Sequence, residues 1–260
     1  MRRRLPFTLV AALIIVGVLA PFITRPRPAV LPWDAPLTFG PQDIGAPYSD
    51  ALAEIRHPAG PPPYPVVVIL SGCAGITNNE RDWSVRLASW GYAAALIDAF
   101  YHRHLKPLCD RTRIPIDLRA RDAFNLAHYL ATLPDFAGAR MGVLGFSAGG
   151  QAALHAALEG SPFSAPFSAV VAYYPPCVLP AADSRFAVDT QVFVGSGDYP
   201  HIVRSCGEMA EALAGTPHAP RVKFYPGAQH IFDTPGGDVD AAADSFAMTK
   251  AFFDARLKRP

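Results

Sequence analysis

The sequence predicts an α/β domain, a mostly parallel sheet with helices on both faces. Short runs of apolar, β-branched residues alternate with helix-length amphipathic segments. Consecutive runs are joined by connections long enough for a helix, which favours parallel pairing over hairpins. With 260 residues, 50% hydrophobic and 17% charged, the chain can bury one sizeable core and lacks the composition of a disordered protein. A net charge of +1 leaves no basic footprint for nucleic acid, which is excluded as a partner on that ground.

Residues 1–24 stand apart from the rest. Arg2, Arg3 and Arg4 precede the uncharged run FTLVAALIIVGVLAPFI, Phe7 to Ile23, which is the pattern of an export signal. The run is also near the shortest that crosses a bilayer. Val18-Leu19-Ala20 offers a small-residue cleavage site, but Pro21 follows the cut directly. The segment is therefore read as a signal peptide or, favoured by Pro21, an uncleaved signal anchor with its arginines inside. Residues 25–48 read as a proline-rich tether and 49–260 as the folded α/β domain. The domain is thus expected outside the cytoplasm, periplasmic or membrane-anchored, touching membrane only through its N-terminal segment.

Within the domain, YPVVVILSG predicts a buried strand over Val66 to Leu70, ended by Ser71 and Gly72. RDWSVRLASWGY reads as an amphipathic helix stopped at Gly91. AAALIDAF is a second strand, closing at Asp98. Between Ile116 and Leu133, Phe124, Leu126, Ala127, Leu130 and Leu133 recur at helical spacing. RMGVLG is a third strand; SAVVAYY, TQVFVG and RVKFY are three more, with helices near 203–214 and 241–257. In such sheets ligands sit beyond the carboxyl ends of the strands, so chemistry is expected just after each one.

GFSAGG follows the third strand directly. Gly145, Gly149 and Gly150 suit a sharp strand-to-helix turn that lifts the Ser147 hydroxyl clear of the sheet. A serine here also fits a plain helix N-cap. The downstream sequence decides between the two. A serine becomes a nucleophile when a histidine takes its proton and an acid orients that histidine. In such sheets the chain order is serine, acid, histidine. Asp198 follows TQVFVG and His230 follows RVKFY, so both fall in post-strand loops in that order. Asp183 and Asp189 precede their nearest strand and are expected at the wrong edge; His201 follows the same strand as Asp198. The backbone amides of Cys73, in LSGCAG, and of Ala148 are the expected oxyanion donors. Asp98 reads as pocket wall or loop support, and Tyr101 and Arg103 as residues that could bind substrate. His102 and His104 read as exposed, no metal-binding motif is present, and the chemistry requires no cofactor.

LSGCAG, ALIDAF, GFSAGG, VGSGD and YPGAQHIFD together resemble the dienelactone-hydrolase family of the α/β-hydrolase fold, over roughly residues 50 to 258. Two positions depart from that family's usual pattern. Ser147 stands where a cysteine is typical, and Ser71 precedes Gly72 where a histidine is frequent. The resemblance implies hydrolysis of a small carboxylic ester or lactone by Ser147, Asp198 and His230 through an acyl-enzyme. Acyl transfer or peptide cleavage would use the same residues, and a binding protein that kept the fold would need none of them. The four cysteines, Cys73, Cys109, Cys177 and Cys206, lie in the exported body, where oxidation is permitted. Three pairings are possible; the sheet that the resemblance implies brings them together as Cys73–Cys109 and Cys177–Cys206. The sequence sets no oligomeric state.

Overall fold

A computed structural model describes residues 37–39, 51–101, 103–110, 114–160 and 167–258. The segment read as an export signal, the segment read as a tether apart from residues 37–39, and His102 lie outside the described residues. Among the described residues no helix is long and apolar enough to cross a membrane.

Eight strands form one sheet: β1 (Leu37–Phe39), β2 (Ala51–Arg56), β3 (Val66–Leu70), β4 (Ala93–Asp98), β5 (Met141–Phe146), β6 (Phe167–Tyr173), β7 (Thr190–Gly195) and β8 (Arg221–Tyr225). Their order across the sheet is β1-β2-β4-β3-β5-β6-β7-β8. From β3 to β8 every pairing is parallel. β2 runs antiparallel to β4, with Ala53 opposite Ile97, and β1 antiparallel to β2. The helices are α1 (Asn78–Ser89), α2 (Ile116–Ala131), α3 (Ala148–Ala156), α4 (Pro200–Ala212) and α5 (Val239–Leu257).

β3 explains why the central strands read as continuous apolar runs. Val66, Val68 and Leu70 join the core under α2, α3 and α4, while Val67 and Ile69 join the core under α1 and α5. Both faces of the strand are dry, so neither parity of residue can be polar. β1 and β2 escape the sequence reading for the opposite reason. Ala51–Arg56 is ALAEIR, with one β-branched residue, and Leu37–Phe39 falls inside the segment read as tether. The open edge of β4 recruits them.

α2 begins at Ile116 as the periodicity suggests, whereas α1, α4 and α5 begin two or three residues earlier. α1 starts at Asn78 because Thr77 and Glu80 form a capping box: Glu80 Oε2 accepts from the Thr77 amide at 2.8 Å and from its hydroxyl at 2.6 Å. From β3 the chain winds out to β4, then returns through α2 to β5 on the other side of β3. The winding reverses there, so the carboxyl ends of β3 and β5 flank an open crevice.

Two disulfides join segments that follow the strands' carboxyl ends, Cys73–Cys109 and Cys177–Cys206, and no cysteine is free. The second closes a span of 29 residues. Replacing Cys177 and Cys206 together by alanine is expected to lower the unfolding free energy by about 3 to 4 kcal/mol on the loop-entropy account. Urea denaturation reads this directly, and thiol titration of the unreduced, denatured wild type should find no free sulfhydryl.

Candidate active site

Ser147 sits between β5 and α3 with φ 50° and ψ −117°. A side-chain-bearing residue adopts such a backbone only where its surroundings over-determine it. The Ser147 amide donates to the Tyr173 carbonyl at 2.9 Å, and the Ser147 carbonyl accepts from the Gln151 amide at 3.0 Å. Two glycines make the turn sterically possible. A Cβ on Gly149 would lie 2.2 Å from the Leu70 carbonyl oxygen, and one on Gly145 would lie 2.2 Å from that of Gly149. The end of β3, the turn and the first turn of α3 therefore touch backbone to backbone. Ala148 opens α3, so its amide has no carbonyl one turn back to bond, and it stands at the positive end of the helix dipole.

Asp198 and His230 come from the loops after β7 and β8. His230 Nδ1 lies 2.9 and 2.8 Å from the two carboxylate oxygens of Asp198, and Nε2 lies 3.1 Å from Ser147 Oγ. With the Nδ1 proton facing the carboxylate, Nε2 is left to accept from the serine hydroxyl. The Asp198 side chain is fully buried, and its Oδ1 also accepts from the Tyr199 amide at 2.6 Å. The other acids lie elsewhere. Asp183 is exposed, and Asp189 accepts from Arg256 at 2.8 Å and pairs with His218 at 3.0 Å. His201 stacks on Tyr199 at the cavity rim. Asp98 supports its own loop, accepting from the amides of Phe100 and Tyr101.

Ser147, Ala148, Cys73 and His230 share one cavity of about 680 Å³. Phe100, Ile114, Ile116, Tyr199 and Ile202 give it a largely apolar wall. Tyr101 and Arg103, expected from the sequence to face substrate, are not among the residues that line it. Tyr101 is 63% exposed, and Arg103 is drawn away to a bidentate pair with the buried Asp122 at 2.7 and 2.8 Å. The cation in the wall is instead Arg119 of α2. Burial lowers its pKa to about 10 while Asp122 and Glu80 oppose the shift, so it stays charged at neutral pH. Helical periodicity puts Arg119 on α2 but says nothing of which end of the sheet it reaches.

The histidine loop has its own anchor. Asp233 accepts from Tyr174 Oη at 2.7 Å, Trp83 Nε1 at 2.8 Å and Asn79 Nδ2 at 3.3 Å. Burial raises its pKa, and these donors pull the other way. The Tyr174 ring also packs 4.7 Å from the ring of His230. The sequence shows the aspartate three residues after the histidine but not the three donors that meet it. Asp233→Ala leaves two buried donors, on Trp83 and Tyr174, without this acceptor, and is expected to cost about 3 kcal/mol in chemical denaturation.

A serine on a strand-to-helix turn, bonded to a histidine and thence to an acid along the strand ends of this sheet, defines the α/β-hydrolase class. The sequence matches the dienelactone hydrolase family over residues 52–257; the chain belongs to that family and is a hydrolase. The fold is shared with solved structures. Dienelactone hydrolase from Anabaena variabilis is 22% identical, with a TM-score of 0.62 over 81% of this chain and 94% of that one. Thermogutta terrifontis esterase 2, solved phosphorylated by paraoxon, is 16% identical, with a TM-score of 0.65 over 88% and 95%. A dienelactone hydrolase-like promiscuous phosphotriesterase from metagenomic libraries is 19% identical, with a TM-score of 0.65 over 86% and 98%. Comparison with curated proteins gave no match.

Proposed function

We propose that this chain hydrolyses a small carboxylic ester or lactone through an acyl-enzyme on Ser147. The observation that carries this reading is the unbroken line of hydrogen bonds from Ser147 through His230 to the buried Asp198, opening on the cavity. His230 Nε2 takes the hydroxyl proton as Ser147 Oγ bonds to the carbonyl carbon. The carbonyl electron pair moves onto its oxygen, where the amides of Cys73 and Ala148 receive it. The tetrahedral intermediate collapses, the bond to the alcohol oxygen breaks, and that oxygen takes the proton from His230. Water then repeats the sequence and frees the acid. Asp198 keeps the imidazole in the working tautomer and stabilises its cation. A cavity of about 680 Å³ suits a small molecule. The basic, then apolar N-terminus and the two disulfides support action outside the cytoplasm.

Ser147→Ala should lose about a thousandfold or more in aryl-ester turnover. Asp198→Asn should fold normally and lose a comparable factor, because an amide favours the wrong tautomer. An organophosphate such as paraoxon should leave one phosphoryl adduct on Ser147 by intact mass, and none on the alanine variant. Near wild-type hydrolysis by Ser147→Ala would sink the reading.

A further inference from the structure

The peptide unit joining Ser71 to Gly72 is gripped from both sides by buried, oppositely charged side chains. Arg119 Nη2 donates to the Ser71 carbonyl and lies 3.5 Å from the Ser71 hydroxyl. On the other edge, Glu80 Oε1 accepts from the Gly72 amide at 3.3 Å. Arg119 and Glu80 are each 3% exposed, and Ser71 is fully buried. A trans peptide points its carbonyl and its amide in opposite directions, so one contact at each edge fixes the rotation of the whole plane. The next amide along the chain belongs to Cys73.

We propose that Arg119 and Glu80 act as a clamp that sets the direction of the Cys73 amide, and so are positioning residues for the oxyanion site. This rests on the ester-hydrolase reading above. Gly72 is close to the nucleophile: a Cβ there would lie 3.8 Å from Ser147 Cβ, in ordinary contact. A small rotation of the clamped plane thus moves the Cys73 amide relative to the reacting carbon. The disulfide to Cys109 holds the same residue from its side chain. The clamp is itself braced. Asp122, one helical turn beyond Arg119, is occupied by Arg103, and both Asp122 and Glu80 favour the charged form of Arg119. Glu80's other oxygen is held by Thr77 at the start of α1. Burying charge is costly unless it is well paired, and here the charges are spent on one backbone unit.

The test compares an ester with the thionoester of the same acid and alcohol. Sulfur accepts hydrogen bonds poorly, so the thionoester gains little from an aligned oxyanion amide. Acylation rates in single turnover should show Arg119→Met slowing the ester about a hundredfold, in line with loss of one oxyanion donor. The thionoester should slow far less, so the ester-to-thionoester ratio falls, while KM stays within about twofold. Arg119→Lys, which keeps one charged donor, should fall between. Glu80→Gln offers a neutral acceptor to Gly72 and should lower the same ratio, which keeps the test available if Arg119→Met does not fold. Equal slowing of both substrates, an unmoved ratio, or a raised KM with unchanged turnover would overturn the clamp. Ser147→Ala run alongside separates the two claims. Turnover lost there with the ratio unmoved in the Arg119 and Glu80 variants rejects the clamp and spares the nucleophile. Turnover retained by Ser147→Ala rejects both.

Discussion

The left-handed backbone at Ser147 is the constraint on which the rest of the molecule depends. Such a conformation costs on the order of 1–3 kcal/mol for a residue with a side chain. The cost is met by the elements on either side. All six residues of β5 are buried, and most of α3 packs its alanines and Leu154 against the sheet. Because β5 and α3 cannot separate, the turn between them cannot relax. The backbone contact of Gly149 with Leu70 then carries the constraint to β3 and to the loop that bears Cys73. A helix start, a strand end and a loop are thereby fixed around one hydroxyl.

The polar groups follow a division of labour. The two cores between sheet and helices are built almost wholly from aliphatic and aromatic side chains. Buried charge is concentrated at the carboxyl edge instead. Asp198 holds the histidine, Asp233 holds the histidine's loop, and Arg119 and Glu80 hold the loop after β3. Each of these groups restrains a segment that has no regular structure of its own. Hydrophobic burial is non-directional and cannot aim an amide or a ring; hydrogen bonds to charged groups can.

Much of this was legible in the sequence, and the limits of legibility are physical. Val66–Leu70, Ala93–Asp98 and Thr190–Gly195 could be bounded because buried parallel strands leave little room for exposed polar residues or turns. Arg221–Tyr225, an edge strand with only Tyr225 buried, was legible from the alternation of its apolar and charged residues. Ser147, Asp198 and His230 could be named because each follows a strand, and strand ends share an edge. That same rule misjudged Arg103. Position after a strand gives the edge but not the direction of a long side chain, and Asp122 pulls this one away from the cavity. Arg119 was missed because it lies in a helix, where periodicity tells the face and not the height above the sheet. β1 and β2 were missed because their conformation comes from a neighbour's open edge and not from their own residues.

The two disulfides give the sheet a polarity beyond that of its strands. All four cysteines lie on segments leaving the carboxyl edge, so that edge is stitched twice, while the described residues at the opposite edge carry no covalent link. A sheet fastened along one hem can part most readily from the other. Partial opening would therefore begin where strands enter the sheet and would reach the loops that carry Ser147, Asp198 and His230 late. The edge that bears Ser147, Asp198 and His230 is thus also the edge that carries the covalent restraint.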